Sequence, residues 1–199
     1  MKAALTTAML ALACATAQAA VLDVQVVDLR GQALAGSVVF VESAAAKTAA
    51  KPLVGVEISQ ENRQFVPRVS VVTVGTFVGL PNRDSVRHHV YSFTPTKFEV
   101  KLYAGRPEKP QLFDRPGVAV LGCNIHDEMV GWVLIVQTPW YGTTGPDGRV
   151  RLDVPPGAYR LRAWHPALPV GAAASDQAVT VVAAGANAAV SLGLQEGAR

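Results

Sequence analysis

Gly122-Cys123-Asn124-Ile125-His126-Asp127-Glu128-Met129-Val130-Gly131 sets a thiol, an imidazole and a thioether within seven residues. Two sulfur donors beside a ring nitrogen are soft ligands, of the kind that hold copper in both of its oxidation states. Apolar runs flank the stretch, Val118 to Leu121 before it and Trp132 to Val136 after it. Both runs are short, rich in branched residues and bounded by turn residues, so the segment reads as a loop joining two β-strands.

The other cysteine, Cys14, lies in an N-terminal stretch with Lys2 as its sole charge, an apolar run from Leu5 to Ala15, and the small-residue pattern Ala17-Gln18-Ala19. That is the grammar of a secretory signal peptide over residues 1–19, cut before Ala20. Cys14 as a lipidated first residue is the alternative, weakened by Ala11 where an aliphatic residue is usually wanted. No twin-arginine pair is present, which implies export unfolded and metal loading outside the cytoplasm. With the signal gone, Cys123 is the sole cysteine. In an oxidising compartment an unpaired thiol needs a reason to persist. Metal coordination is one reason; burial as a small hydrophobe is another.

Losing the signal removes one lysine and leaves 17 basic against 15 acidic residues, a net charge of +2. So small an excess gives no electrostatic footprint for nucleic acid or an anionic membrane. No later apolar run reaches the roughly 20 residues that span a bilayer. With 17 glycines and 13 prolines, the chain favours many short strands and tight turns.

The expected class is therefore all-β. Val21 to Asp28 alternates apolar and polar residues, and Ser37 to Glu42 reads as its returning strand in a first hairpin. Ala44 to Lys51 is a short helix or a linker. Strands are expected at Val54–Ile58, Val69–Phe77, His88–Phe93, Phe98–Tyr103, Val118–Leu121 and Trp132–Val136, with prolines between them. Beyond Pro139, strands Arg149–Val154 and Ala158–Trp164 are read as a hairpin about Pro155-Pro156-Gly157, followed by Ala178–Val182 and Ala188–Leu194. Arg149, Arg151, Arg160 and Arg162 alternate with apolar residues, which suggests an outward basic stripe.

From about Gln60 to Val136 the chain resembles cupredoxins of the plastocyanin and amicyanin class. Phe65-Val66-Pro67 resembles the opening strand of such a domain, and Pro81-Asn82-Arg83-Asp84-Ser85-Val86-Arg87-His88-His89-Val90 the segment with the first histidine ligand. The Cys123-to-Met129 stretch resembles the ligand loop, with amicyanin-like spacing. Cys-Asn-Ile-His-Asp with a downstream Trp164-His165-Pro166 is also similar to bacterial proteins labelled methylamine utilisation proteins. The terminal pieces, with Gly31 to Gly36, Pro146 to Leu152 and Val154 to Tyr159, resemble a carboxypeptidase regulatory-like domain, a small transthyretin-like sandwich. These resemblances imply a cupredoxin-like Greek-key sandwich over residues 51–138. It would be inserted into a second β-sandwich made of residues 20–50 and 139–199, where a surface loop tolerates the insertion. Tandem domains are the competing arrangement.

What the cupredoxin resemblance implies for the site is type 1 copper on His88, Cys123 and His126, with Met129 as the long axial ligand. His89 competes with His88 for the upstream place; strand alternation would turn His89 to the opposite face. Asn82, His89 and Asn124 are candidates for hydrogen bonds that orient the ligands, with ordinary turn asparagines as the plain alternative. Asp127 or Glu128 could supply an axial oxygen instead of Met129. Zinc would gain nothing from a methionine. His165 reads as a packed structural residue. No phosphate-cradling loop, nucleophile elbow or carboxylate pair appears elsewhere. The expectation is a periplasmic one-electron carrier, not an enzyme, that meets a redox protein such as a dehydrogenase or cytochrome. The acidic loop suggests that this partner is basic or polar. Copper sequestration or delivery, and a surface protein whose metal only stabilises folding, are the rival classes.

Overall fold

The computed structural model describes residues 19–169 and 171–194; the expected signal segment through residue 18, with Cys14, lies outside the described residues. The described chain is almost entirely β, with a single six-residue helix. Its strands sort into two sets that share no sheet.

The middle set runs through β3 (Val56–Glu57), β4 (Ser59–Glu61), β5 (Gln64–Val66), β6 (Val69–Thr73), β7 (Thr76–Gly79), β8 (His88–Ser92), β9 (Phe98–Tyr103), β10 (Gln111–Phe113), β11 (Gly117–Cys123) and β12 (Gly131–Val136). One sheet has the order β6-β12-β11-β8-β9, with β6 parallel to β12 and the other neighbours antiparallel. A second sheet, β10-β7-β3, faces it across a core that includes Val72, Val78, Val90, Phe113, Leu121, Val133 and Ile135. β4 and β5 form a separate hairpin.

The outer set consists of β1 (Ala20–Asp28), β2 (Val38–Glu42), β13 (Tyr141–Thr143), β14 (Arg149–Val154), β15 (Gly157–Trp164), β16 (Gln177–Val181) and β17 (Ala186–Leu192). Sheet β14-β1-β17 packs its apolar face on sheet β13-β2-β15-β16. Leu22, Val24 and Val26 come from alternate positions of β1 and meet Val39, Val41, Leu161 and Ala163. The helix α1 (Ala44–Ala49) is capped by Ser43, whose Oγ accepts from Ala46 N at 3.0 Å.

β12 joins the two sets. Val133 and Ile135 enter the middle core, while Leu134 and Val136 point the other way and pack with Val38, Phe40 and Trp164. Each such buried side chain contributes about 1.5–3 kcal/mol. Trp132 extends the contact, with its ring 6.3 Å from that of Trp164 and the Arg68 guanidinium 4.9 Å above it.

Three expectations about neighbours need correction. β1 and β2 exist but do not form a hairpin: β1 pairs with β14 and β17, β2 with β13 and β15. Asp28 Oδ1 does close a tight turn, accepting from Arg30 N and Gln32 N. The chain then crosses to the opposite sheet, because the apolar faces of both strands must meet in one core. For the same reason Pro155-Pro156 marks a corner between sheets, stitched by Tyr159 Oη donating to Pro155 O at 2.7 Å. Val69–Phe77 is not continuous either. It breaks at Gly75, whose φ of 88° suits glycine, and β6 and β7 lie in different sheets.

The basic stripe is likewise absent. β14 and β15 lie in opposite sheets, so their arginines face opposite ways, and each has an acidic neighbour. Arg149 and Arg151 pair with Asp23, Arg160 with Asp176, and Arg162 with Glu42.

Candidate metal centre

Cys123 is the last residue of β11 and His88 the first of β8. The antiparallel register sets Cys123 opposite Val90, so His88 lies two positions further along, at the same end of the sheet as the Cys123 loop. There the β8–β9 pairing shifts by one residue between His88 and Val90. Such bulges re-aim side chains beside functional sites. His88 is fully buried, Cys123 nearly so, and Cys123 is a free thiol.

The ligand atoms of His88, Cys123 and His126 all lie within 4.8 Å of one another. Cys123 Sγ is 3.7 Å from His88 Nδ1, and the two imidazole rings stand 5.2 Å apart at 60°. His126 Nδ1 is buried with no hydrogen-bond partner. A buried nitrogen without a partner is costly, and coordination would remove that cost. The loop closes through Met129 N donating to His126 O at 3.0 Å. Met129 is 1% exposed and shares the core cluster of Cys123, while Asp127 and Glu128 are exposed. Two sulfurs and two imidazoles, three of the four deeply buried, fit copper better than a hard cation.

His89 turns away from this cluster, and its Nε2 meets Glu99 Oε1 at 2.7 Å. The Asn82 side chain hydrogen-bonds to groups other than the two histidines. Its Nδ2 donates to Val86 O and Tyr103 O, and its Oδ1 accepts from Asp84 N, so it shapes the loop that leads into His88. The side chain of Asn124 is exposed; its backbone N–H donates to His89 O at 3.1 Å and fastens the loop to β8. His165 stands apart, accepting from Ala167 N at Nδ1 and donating from Nε2 to Ala35 O. Burial lowers its pKa, partly offset by the Ala35 contact.

Two neighbours of the site were not singled out in the sequence. Asp84 Oδ2 meets His88 Nε2 at 2.8 Å, while its carboxylate also accepts from Asn62 N and Arg63 N. Burial alone would raise the Asp84 pKa, but the Arg63, His88 and Asn62 donors together hold it below the ordinary value. Tyr103, the cross-strand partner of His88, donates to Gln60 Oε1, with Leu80 O also in reach at 2.8 Å. Burial pushes the Tyr103 hydroxyl well up, the Gln60 bond opposes this, and the charge of Cys123 adds to it. A carboxylate four residues before a histidine in a loop is the only signal that could have pointed to Asp84.

No family model and no curated protein matches the chain. Its neighbours among solved structures are cupredoxins. A purple cupredoxin from Nitrosopumilus maritimus aligns at 24% identity over 41% of this chain and 99% of that one, with a TM-score of 0.37. An oxidised methionine-to-leucine mutant of amicyanin aligns at 17% identity over 49% of this chain and 98% of that one, with a TM-score of 0.35. An oxidised proline-to-alanine mutant of amicyanin gives 18%, the same coverages and a TM-score of 0.37.

Proposed function

We propose that the protein is an exported type 1 copper protein that carries single electrons. The observation behind this reading is the meeting of His88, Cys123 and His126 within 4.8 Å at the end of a β-sheet, beside a buried Met129. Copper held there supplies one-electron chemistry that needs no proton or group transfer. The chain's part is to keep the donors fixed. His88 comes from β8, and Cys123, His126 and Met129 from a single loop tied to that strand, so little has to move when the charge changes.

His126 is the natural exit for an electron, because it is the least buried of the three and lies between exposed Ile125 and Asp127. The exposed Asp127 and Glu128 favour a basic or polar redox partner, such as a dehydrogenase or cytochrome. We read residues 51–138 as the copper module, set into a regulatory-like sandwich of residues 20–50 and 139–199. Supporting this, among the described residues β1 and β2 pair only with strands from residues 141–192. The signal-like residues 1–19 favour the periplasm. Among the described residues no helix is long and apolar enough to cross a membrane.

The test is the colour of the copper-loaded protein and of Cys123→Ser. The parent should show an intense thiolate-to-copper band and a matching EPR spectrum, and the variant should lose both. A band that survives in Cys123→Ser refutes the ligand assignment.

A further inference from the structure

Resting on the copper reading above, we propose that Asp84 is a positioning residue for the centre. Its carboxylate, pinned by the tip of the β4–β5 hairpin, holds His88 with Nε2 donating and Nδ1 aimed at the metal, and places behind that ligand a negative charge that favours the oxidised ion.

Three contacts carry this. His88 is fully buried, and its two ring nitrogens have different neighbours: Asp84 Oδ2 at 2.8 Å from Nε2, and Cys123 Sγ at 3.7 Å from Nδ1. A carboxylate only accepts, so Nε2 must carry the proton and Nδ1 is the nitrogen left to coordinate. The second contact fixes the carboxylate. Asn62 and Arg63 form the two-residue turn between β4 and β5 with φ of 54° and 58°, the left-handed pair that such hairpins require. Their backbone N–H groups donate to Asp84 Oδ1 at 2.6 Å and Oδ2 at 2.9 Å. The third lies beneath it: Asn82 Oδ1 accepts from Asp84 N, while Asn82 Nδ2 is held by Val86 O and Tyr103 O. Asp84 is thus fixed on three sides, and its side chain is only 14% exposed.

A backbone carbonyl in that place would set the ring equally well but bring no charge. The carboxylate does both, since its negative charge raises the basicity of the ligand and stabilises the higher oxidation state. The hairpin of residues 59–66, which contributes no ligand, thereby becomes part of the centre's electrostatics.

The test uses the full exported chain and Asp84→Asn. In the metal-free parent, nitrogen NMR should show His88 in the Nε2–H form alone; an Nδ1–H form or a mixture would overturn the proposal without any variant being made. In the copper-loaded proteins, Asp84→Asn should keep the thiolate-to-copper band and raise the Cu(I)-to-Cu(II) ratio at a fixed ambient potential several-fold. An unchanged ratio in a protein that still shows the band would overturn the role of Asp84 and leave the copper reading standing. A parent with no such band would overturn the copper reading and the redox part of this proposal with it.

Discussion

Two glycines flank the candidate ligand loop, and replacing each by alanine separates rigid from yielding packing. Gly131 opens β12 two residues after Met129; a Cβ there would lie 2.9 Å from Phe65 Cβ and 3.1 Å from its Cγ and Cδ2. Gly122 precedes Cys123 and sits opposite Tyr91, where a Cβ would lie 2.5 Å from Tyr91 Cζ and 2.6 Å from its Oη. By distance alone Gly122 is the tighter site. Phe65, however, is 1% exposed and the clash falls at the root of its side chain, so relief requires β5 itself to move. At Gly122 the clash falls on the tip of a half-buried ring that can swing outward. Overpacking a fixed core costs about 1–3 kcal/mol, and Gly→Ala returns about 0.4–1 kcal/mol by restricting the unfolded chain. Gly131→Ala should therefore destabilise by about 1–2 kcal/mol, and Gly122→Ala by less than about 1 kcal/mol. Urea unfolding of the metal-free proteins, followed by circular dichroism, gives both values if the slopes agree. A larger loss at Gly122 than at Gly131 would refute the argument from side-chain freedom.

Leu134→Ala, on the face of β12 that meets Phe40 and Trp164, should cost about 2–5 kcal/mol in the same assay; a loss under about 1 kcal/mol would mean the contact between the two strand sets is loose. His165 gives a pH signature. Its folded pKa is depressed, so the unfolded chain binds the proton more readily; its contribution is complete above the ordinary histidine value and falls as pH drops below about 6.5. The cause is burial of the ring, which disfavours the charged form and is partly offset by the Ala35 O contact. The stability lost between about pH 7 and 5 should be smaller in His165→Gln than in the parent, and equal losses would refute this.

The candidate loop Cys123 to Met129 stood out because it is local: a thiol, an imidazole and a thioether within seven residues need no knowledge of neighbours. Alternation along the strand suffices to send the His88 and His89 rings to opposite faces, one toward Cys123 and the other toward Glu99. Strand partners were not legible. The alternation in β1 fixes which face is apolar but leaves open whether the next apolar strand lies beside it or across the core. That is why the hairpins about residues 29–36 and 155–157 proved to be crossings between sheets, and why four arginines that look like one stripe lie on two faces. Asp84 escaped notice because its partners, Asn62, Arg63 and His88, converge only after the β4–β5 hairpin and the 82–88 loop have folded together.

β1 and β17 run side by side in one sheet, although they stand at opposite ends of the described chain. A polypeptide emerging N-terminus first has made every strand of the middle set once Val136 appears, but β1 must wait for β14 and then for Ala186–Leu192. Pairings of such long sequence separation close slowly. Until β15 has emerged, Trp132, Leu134 and Val136 lack the cover of Trp164, and Phe40, although made earlier, sits on a strand whose partners β13 and β15 are still to come, so β12 presents a bare apolar ribbon to any other nascent copy. The order of emergence thus makes the middle sandwich early to form, and most prone to aggregate in the interval between Val136 and Trp164.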